Sequence, residues 1–425
     1  MNQLNLTYEN KKPSVVHYVG LFTIFCLGLF SVFPPIRALS FFNQLWALCI
    51  LGWFFSVFIS QPLYLLYPSR YRFVVYIYII YTILISYIAG NGSIGNRFFE
   101  LSQLPIFYLA FENNRRLGRN GDNIKILKWI LPFLLFTCFQ TLNAYRTNPY
   151  ISRSLKSSQD LGGEYMIQGI GGYEFIYFLI FAVCILLYSF KSFLPQRRRK
   201  LAYAFYVVIL IAFSANIFLS NFSTALFLLV LVFSLRLFGK KVNVFKLILM
   251  LFFSLFLYLI IEDVVIFIID LYLSNFEGSI NASRLLEIKG FLGDQATGVS
   301  IDARFSAFME SINTFFKNPI FGIIIAPLSM NSFGEVTGFG QHSQILDTFA
   351  LFGAGVGLIQ IYVYFHPFLQ RMKIGNYSYN MMTITTMIVL LVVSLFNNVT
   401  PSIGLAAFFA FPTIIEFLNQ KNDQE

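Results

Sequence analysis

Residues 301–322 read IDARFSAFMESINTFFKNPIFG, and they lie inside a 71-residue polar stretch from Leu271 to Gln341. On both sides of that stretch the chain is overwhelmingly apolar. Ile301, Phe305, Phe308, Ile312, Phe315 and Phe316 recur at i, i+3 and i+4 spacing, while Asp302 and Glu310 fall away from that face. The pattern predicts an amphipathic helix over 301–316 lying on a membrane surface, ended by Asn318-Pro319. Whether the polar stretch is a soluble domain or a loop between membrane spans decides the fold. Its flanks, read outward, make it a loop.

The chain of 425 residues is 57% hydrophobic and 12% charged, against about 25% charged in soluble domains. Apolar runs of roughly 20 residues recur, the length needed to cross about 30 Å of hydrocarbon. A spanning segment must satisfy its backbone groups internally, so these runs are read as helices. The expectation is an all-α polytopic membrane protein with about twelve transmembrane helices, forming one integral membrane domain over 1–425. The spans fall near 15–33, 43–66, 73–89, 98–112, 125–142, 174–190, 201–219, 222–237, 244–262, 343–365, 380–396 and 402–418. One large external loop, 271–341, then joins spans nine and ten. The fourth span is short and carries Glu100 and Pro105, so it reads as tilted or re-entrant. No small-residue cleavage site follows the first span, which is expected to be retained.

The basic residues set the orientation. With the N-terminus inside, 21 of the 30 basic residues fall on the inner connections, including Arg115, Arg116, Arg119, Arg197, Arg198, Arg199, Lys200, Arg371 and Lys373. Both termini are then cytoplasmic, and the loops near 143–173 and 271–341 are outside. Spread along inner connections, the net charge of +10 reads as a topology signal, and no nucleic-acid partner is expected. Cys26, Cys49, Cys138 and Cys184 lie in apolar runs without metal-binding spacing. No phosphate-binding loop, dinucleotide fingerprint or His-Glu-x-x-His motif is present. No metal and no cofactor are expected.

Of the three histidines, His17 and His366 fall at inner span ends, and only His342 faces outside. A histidine titrates near neutral pH and can serve as a general base. Asp302, Glu310 and Asp347 are the alternative bases, and Asp347 lies close enough in sequence to orient His342. Arg153, Arg284 and Arg304 occupy the two long outside loops. A guanidinium is a planar, permanently charged clamp for phosphate.

In chain order come Arg304-x3-Phe308, Asn318-Pro319-Ile320-Phe321-Gly322, Gln341-His342-Ser343-Gln344-Ile345-Leu346 and Phe352-Gly353-Ala354-Gly355-Val356-Gly357. This order resembles the late loop and following span of the O-antigen polymerase and O-antigen ligase superfamily. Leu219–Ala225 is similar to that family's Ser-Arg-small hairpin, with Asn221 in place of the Arg. Arg153 and Gly169, with 15 residues between them, resemble an Arg-x15-Gly motif of some polymerases; the large loop holds no second copy. The resemblance implies a GT-C-like membrane glycosyltransferase that works without metal at the outer face of a bacterial cytoplasmic membrane. Its donor would be a glycan on undecaprenyl diphosphate, and its product an O-antigen or capsule. It further implies Arg153, Arg304 and Arg284 as diphosphate contacts and His342 as catalytic base. Membrane lipid, a chain-length regulator and a flippase would be its partners. A ligase would use the same chemistry with another acceptor. A flippase or transporter is the remaining alternative, although the halves show no convincing repeat and alternating access does not need a 71-residue loop.

Overall fold

The computed structural model describes residues 14–89, 92–148, 151–152, 155, 159–193, 199–220, 222–238, 267, 270, 301–325, 339–340, 342–372 and 377–422. The described residues are overwhelmingly helical, with no strand among them. Seven of the described helices are long and apolar enough to cross a membrane. The expected ninth span, 244–262, lies outside the described residues.

The helices in chain order are α1 (Val15–Val32), α2 (Pro34–Arg37), α3 (Phe42–Ser60), α4 (Pro62–Leu66), α5 (Arg70–Ala89), α6 (Gly92–Arg116), α7 (Asn120–Ala144), α8 (Gln159–Ile167), α9 (Tyr173–Phe193), α10 (Arg199–Leu219) and α11 (Ser223–Phe238). After them come α12 (Ile301–Lys317), α13 (Gln344–Met372), α14 (Tyr377–Phe396), α15 (Pro401–Gly404) and α16 (Phe411–Asn422). A π-helical segment, Leu405–Ala410, joins the last two.

Local chemistry explains most of the boundaries. Ser14 caps α1 by accepting from the His17 N–H at 3.3 Å. The expected span 43–66 is divided at Gln61, whose φ of −151° is not helical. The cause is Pro62, which disfavours the helical conformation in the residue before it. The fourth expected span, 98–112, is longer than expected. It belongs to the continuous 25-residue helix α6, which accommodates Pro105.

The contacts cluster into two compact units. One comprises Met1–Ala225, Leu358–Leu391 and Val399–Glu425, and the other Leu226–Gly357 and Val392–Asn398. In the first, buried hydroxyls and amides tie helices together where apolar side chains alone would be interchangeable. Ser402 Oγ donates to the Ser31 carbonyl at 2.5 Å, and Thr137 Oγ1 to the Val32 carbonyl at 3.1 Å. The Asn216 amide donates to the Cys138 carbonyl at 3.3 Å, and the Tyr188 and Thr385 hydroxyls meet at 2.9 Å. In the second unit α12 packs against the first half of α13 and the end of α14. Phe315 meets Phe349 edge-on at 5.4 Å, and Phe308 lies 5.9 Å from Phe396.

The predicted helix at 301–316 is therefore present as α12, and Phe308 and Phe315 of its apolar face pack inward beside Ser311. Ser311 is 1% exposed, whereas Phe316 is 73% exposed. Ser311 is buried at the edge of that face because its hydroxyl has partners there.

Candidate functional site

Ser343 is the residue before α13, and its Oγ accepts from the Leu346 N–H at 3.2 Å. One turn on, Asp347 Oδ2 accepts from the Ser343 N–H at 3.3 Å. This is reciprocal capping of the capping-box kind, with the acid one position later than usual. The other Asp347 oxygen, Oδ1, accepts from Ser311 Oγ at 2.7 Å, and Ser311 Oγ accepts from the Gly340 N–H at 2.8 Å. Charge-assisted bonds of this kind are the strong ones. The chain Gly340–Ser311–Asp347–Ser343 thus fastens the entry to α13 against α12.

Two further contacts complete the clamp. Gln344 N–H donates to the Asn397 carbonyl at 3.1 Å, and Ser343 Oγ donates to the Ser394 carbonyl at 3.3 Å. Gly340 lies so close to α12 that a Cβ there would sit 2.0 Å from the Ala307 carbonyl oxygen. Between the fastened residues 340 and 343, His342 is exposed. The backbone on either side is held while the imidazole remains accessible.

A second junction lies further along α13. The helix kinks at Gly353, with φ 73° and ψ −174°. The turn Asn318–Gly322 docks onto that kink, where the Ala354 N–H donates to the Pro319 carbonyl at 2.8 Å. A Cβ on Gly353 would lie 2.1 Å from the Ile320 carbonyl oxygen, and one on Gly322 2.2 Å from the Leu351 carbonyl. Both glycines have positive φ, a conformation that L side chains resist. The Pro turn and the glycine-rich span that prompted the family resemblance are thus in direct contact.

The loop near 143–173 is anchored differently. Ser152 Oγ donates to the Gly171 carbonyl at 2.8 Å, so the Tyr145 hydroxyl is the donor to Ser152 at 2.7 Å. The Gly171 N–H donates to Thr141 Oγ1 at 2.8 Å. Tyr145, Ile151, Leu155 and Ile170 form a buried cluster around this network. Arg153 follows directly on Ser152 but lies outside the described residues.

Of the other expected site residues, Arg304 and Asp302 are in the first turn of α12, three and five residues before Ala307, and their side chains are outside the described set. Arg284 lies wholly outside it. Asp347 is 1% exposed, which makes it a positioning residue for the segment that carries His342. Arg37 and Glu174 form an ion pair at 2.5 Å, with Ser402 Oγ 3.3 Å from the same carboxylate. This joins α2, α9 and α15. Among the described residues no three His, Cys, Asp or Glu side chains converge to hold a metal ion.

Sequence reasoning passed over Ser311 and Ser343. Ser343 carried a signal, a serine immediately before an apolar run with an acid one turn on. Ser311 carried none, because a serine inside an amphipathic helix is unremarkable until its partner is known. No protein-family model and no curated protein matches the chain.

Proposed function

We propose that the chain is a membrane glycosyltransferase that polymerises undecaprenyl-diphosphate-linked oligosaccharide repeat units into a surface polysaccharide, an O-antigen or a capsule. The observation that carries this reading is an exposed His342 on a segment held at both ends by Ser311, Asp347 and Asn397. A general base must be presented at fixed geometry to the hydroxyl it deprotonates. In the reaction, His342 takes the proton of the acceptor hydroxyl. The acceptor oxygen bonds to the donor's anomeric carbon, and the bond from that carbon to the lipid diphosphate breaks. The diphosphate leaves with the electron pair, and fixed guanidinium groups can stabilise its charge without a metal. Arg304, Arg153 and Arg284 are the proposed cations, by resemblance and by their place in the two long loops. With the N-terminus inside a bacterial cytoplasmic membrane, this chemistry faces outward.

The test is purified protein in vesicles with a lipid-diphosphate-linked repeat unit. A ladder of lengthening products is expected, and it should persist in excess EDTA. An unchanged substrate, or transfer only to a different acceptor, would remove the polymerase reading.

A further inference from the structure

α14 fixes a level in the bilayer. Its 20 residues, Tyr377–Phe396, carry no charge, and at 1.5 Å per residue all of them are needed to cross about 30 Å of hydrocarbon. Past Phe396 the chain turns polar at Asn397 and Asn398. The Phe396 end of α14 therefore lies at one surface of the bilayer. Ser343 Oγ donates to the Ser394 carbonyl at 3.3 Å, and the Gln344 N–H donates to the Asn397 carbonyl at 3.1 Å. The start of α13 is thus at that same surface. Gly353, nine residues beyond Gln344, lies about 14 Å below it.

α12 follows α13 down to that depth. Ala307 lies against Gly340, Ser311 bonds to Asp347 at 2.7 Å, Phe315 meets Phe349 at 5.4 Å, and the Pro319 carbonyl accepts from the Ala354 N–H at 2.8 Å. Each step along α12 meets a residue further into the span, so the two segments run side by side in one direction. A helix lying flat on the surface could not keep this series of contacts. Non-helical backbone is tolerated at membrane depth only where its polar groups are met within the protein. The turn after α12 meets that condition. The Asn318 N–H donates to the Thr314 carbonyl at 3.1 Å and the Gly322 N–H to the Asn318 carbonyl at 2.9 Å, beside the Pro319 bond.

The side chains at this tip are apolar and uncovered. Phe316 is 73% exposed, Ile320 68% and Phe321 57%. Facing water they would form an unfavourable patch, whereas acyl chains are the surroundings such side chains match. Lys317 is also exposed. Side chains on a helix lean towards its N-terminus, which for α12 is the direction of the surface, so the ammonium reaches back towards the headgroups along its apolar stem. We propose that α12 and the turn 318–322 enter the bilayer as a re-entrant segment, with Phe316, Ile320 and Phe321 against the acyl chains of the leaflet on the His342 side. This placement holds for either orientation of the chain and does not depend on the polymerase reading.

The experiment is photolabelling of the wild-type, full-length protein in phosphatidylcholine liposomes, with adducts mapped by mass spectrometry. One sample contains a phospholipid with a diazirine midway along an acyl chain, the other a phospholipid with a diazirine on its headgroup. The mid-chain probe should modify Phe316, Ile320 and Phe321. The headgroup probe should modify Met309 and Glu310, which are exposed about two turns before Phe316, and miss the tip. Headgroup adducts at Ile320 and Phe321 without mid-chain adducts would lay the segment flat on the surface and overturn the proposal. Protection of the tip from both probes would mean that protein, such as a second copy of the chain, covers it, and would also overturn the proposal. Ile320→Asp adds a second reading. A carboxylate in hydrocarbon is costly, so this variant should melt earlier in liposomes than wild type, and Glu310→Gln should not. An unshifted melting temperature for Ile320→Asp overturns the placement. Should that variant fail to accumulate, the wild-type labelling still decides.

Discussion

His342 and its neighbours divide into a group that meets solvent and groups that hold it. If His342 is the base, His342→Ala should reduce polymer formation by roughly 10²–10⁴, with protein abundance and lipid-substrate binding retained. His17→Ala and His366→Ala should stay within about twofold of wild type in turnover, since both are expected at cytoplasmic span ends and losing a base costs far more. Full-length polymer at a normal rate from His342→Ala would move the base elsewhere. Ser311 gives a subtler test. Its hydroxyl accepts from the Gly340 N–H and donates to Asp347, so Ser311→Ala leaves a buried donor and a carboxylate oxygen without that partner. The cost is about 1–3 kcal/mol of local stability. The expected result is a lower kcat at unchanged KM for the lipid substrate. Asp347→Asn should produce a similar fall, and the double variant should be less than additive because the two side chains share one bond. Additive losses, or a shift only in KM, would show that the network does not position the site. His342 and Asp347 stand out in the sequence as candidates, with Asp347 either an alternative base or an orienting group. Burial separates them, and burial depends on which helix covers the loop.

At the scale of elements, the critical feature is the kink in α13 and the turn that docks on it. Gly353→Ala must accommodate a positive φ and a Cβ 2.1 Å from the Ile320 carbonyl. A positive φ with extended ψ is essentially confined to glycine and costs about 1–3 kcal/mol, and relieving the contact requires the 318–322 turn to move away. Gly355, two residues on, has nothing within 4 Å of the corresponding position. Gly355→Ala should therefore be neutral or slightly stabilising, by up to about 1 kcal/mol. Thermal unfolding in detergent should show Gly353→Ala and Gly322→Ala melting earlier than wild type while Gly355→Ala does not. Equal melting of Gly353→Ala and Gly355→Ala would mean that the turn is not seated on the kink. The sequence pattern marked both partners of this junction, a proline turn and a glycine-rich span, because each has a local signature. Their contact had none. The same limit explains the division at Gln61–Pro62 and the length of α6. Pro62 was visible, but a hydropathy pattern over 43–66 does not register a one-residue interruption. Gly92–Ser102, at the start of α6, is helical although its composition is that of a turn followed by a weak span. On α12 the periodicity located the helix, but not the burial of Ser311 beside Phe308 and Phe315. Periodicity locates the apolar face, but whether a polar residue at its edge finds a buried partner depends on the helices it meets.

For the whole molecule, the arrangement of basic residues makes the broadest claim. Helices at the expected positions leave the connections where the charge pattern needs them, including Leu117–Arg119 between α6 and α7 and the segment ahead of α10. Arg115, Arg116 and Arg119 cluster at the first of these, and Arg197, Arg198, Arg199 and Lys200 at the second. Loops this short follow the positive-inside rule most faithfully, whereas long segments are exported with little regard to charge. That contrast is why the orientation is argued from them and not from 271–341. The prediction is that topology reporters fused after Asn120, Lys200 and Gly375 report cytoplasm, and that fusions at Ser157 and Gly293 report the outside. It bears directly on function, because glycan transfer from an outward-facing lipid diphosphate requires His342 and the loop before it to be external. The Lys200 fusion is the sharpest arm. It follows four consecutive basic residues, so an external signal there would invert the orientation of α9 and α10. Swapping Arg197, Arg198 and Arg199 to Gln should weaken that signal without altering the reporter after Asn120, whose own basic cluster is intact. If both reporters changed together, orientation would be set by the chain as a unit and not connection by connection. The outward placement of His342 would then need evidence from its own flanks.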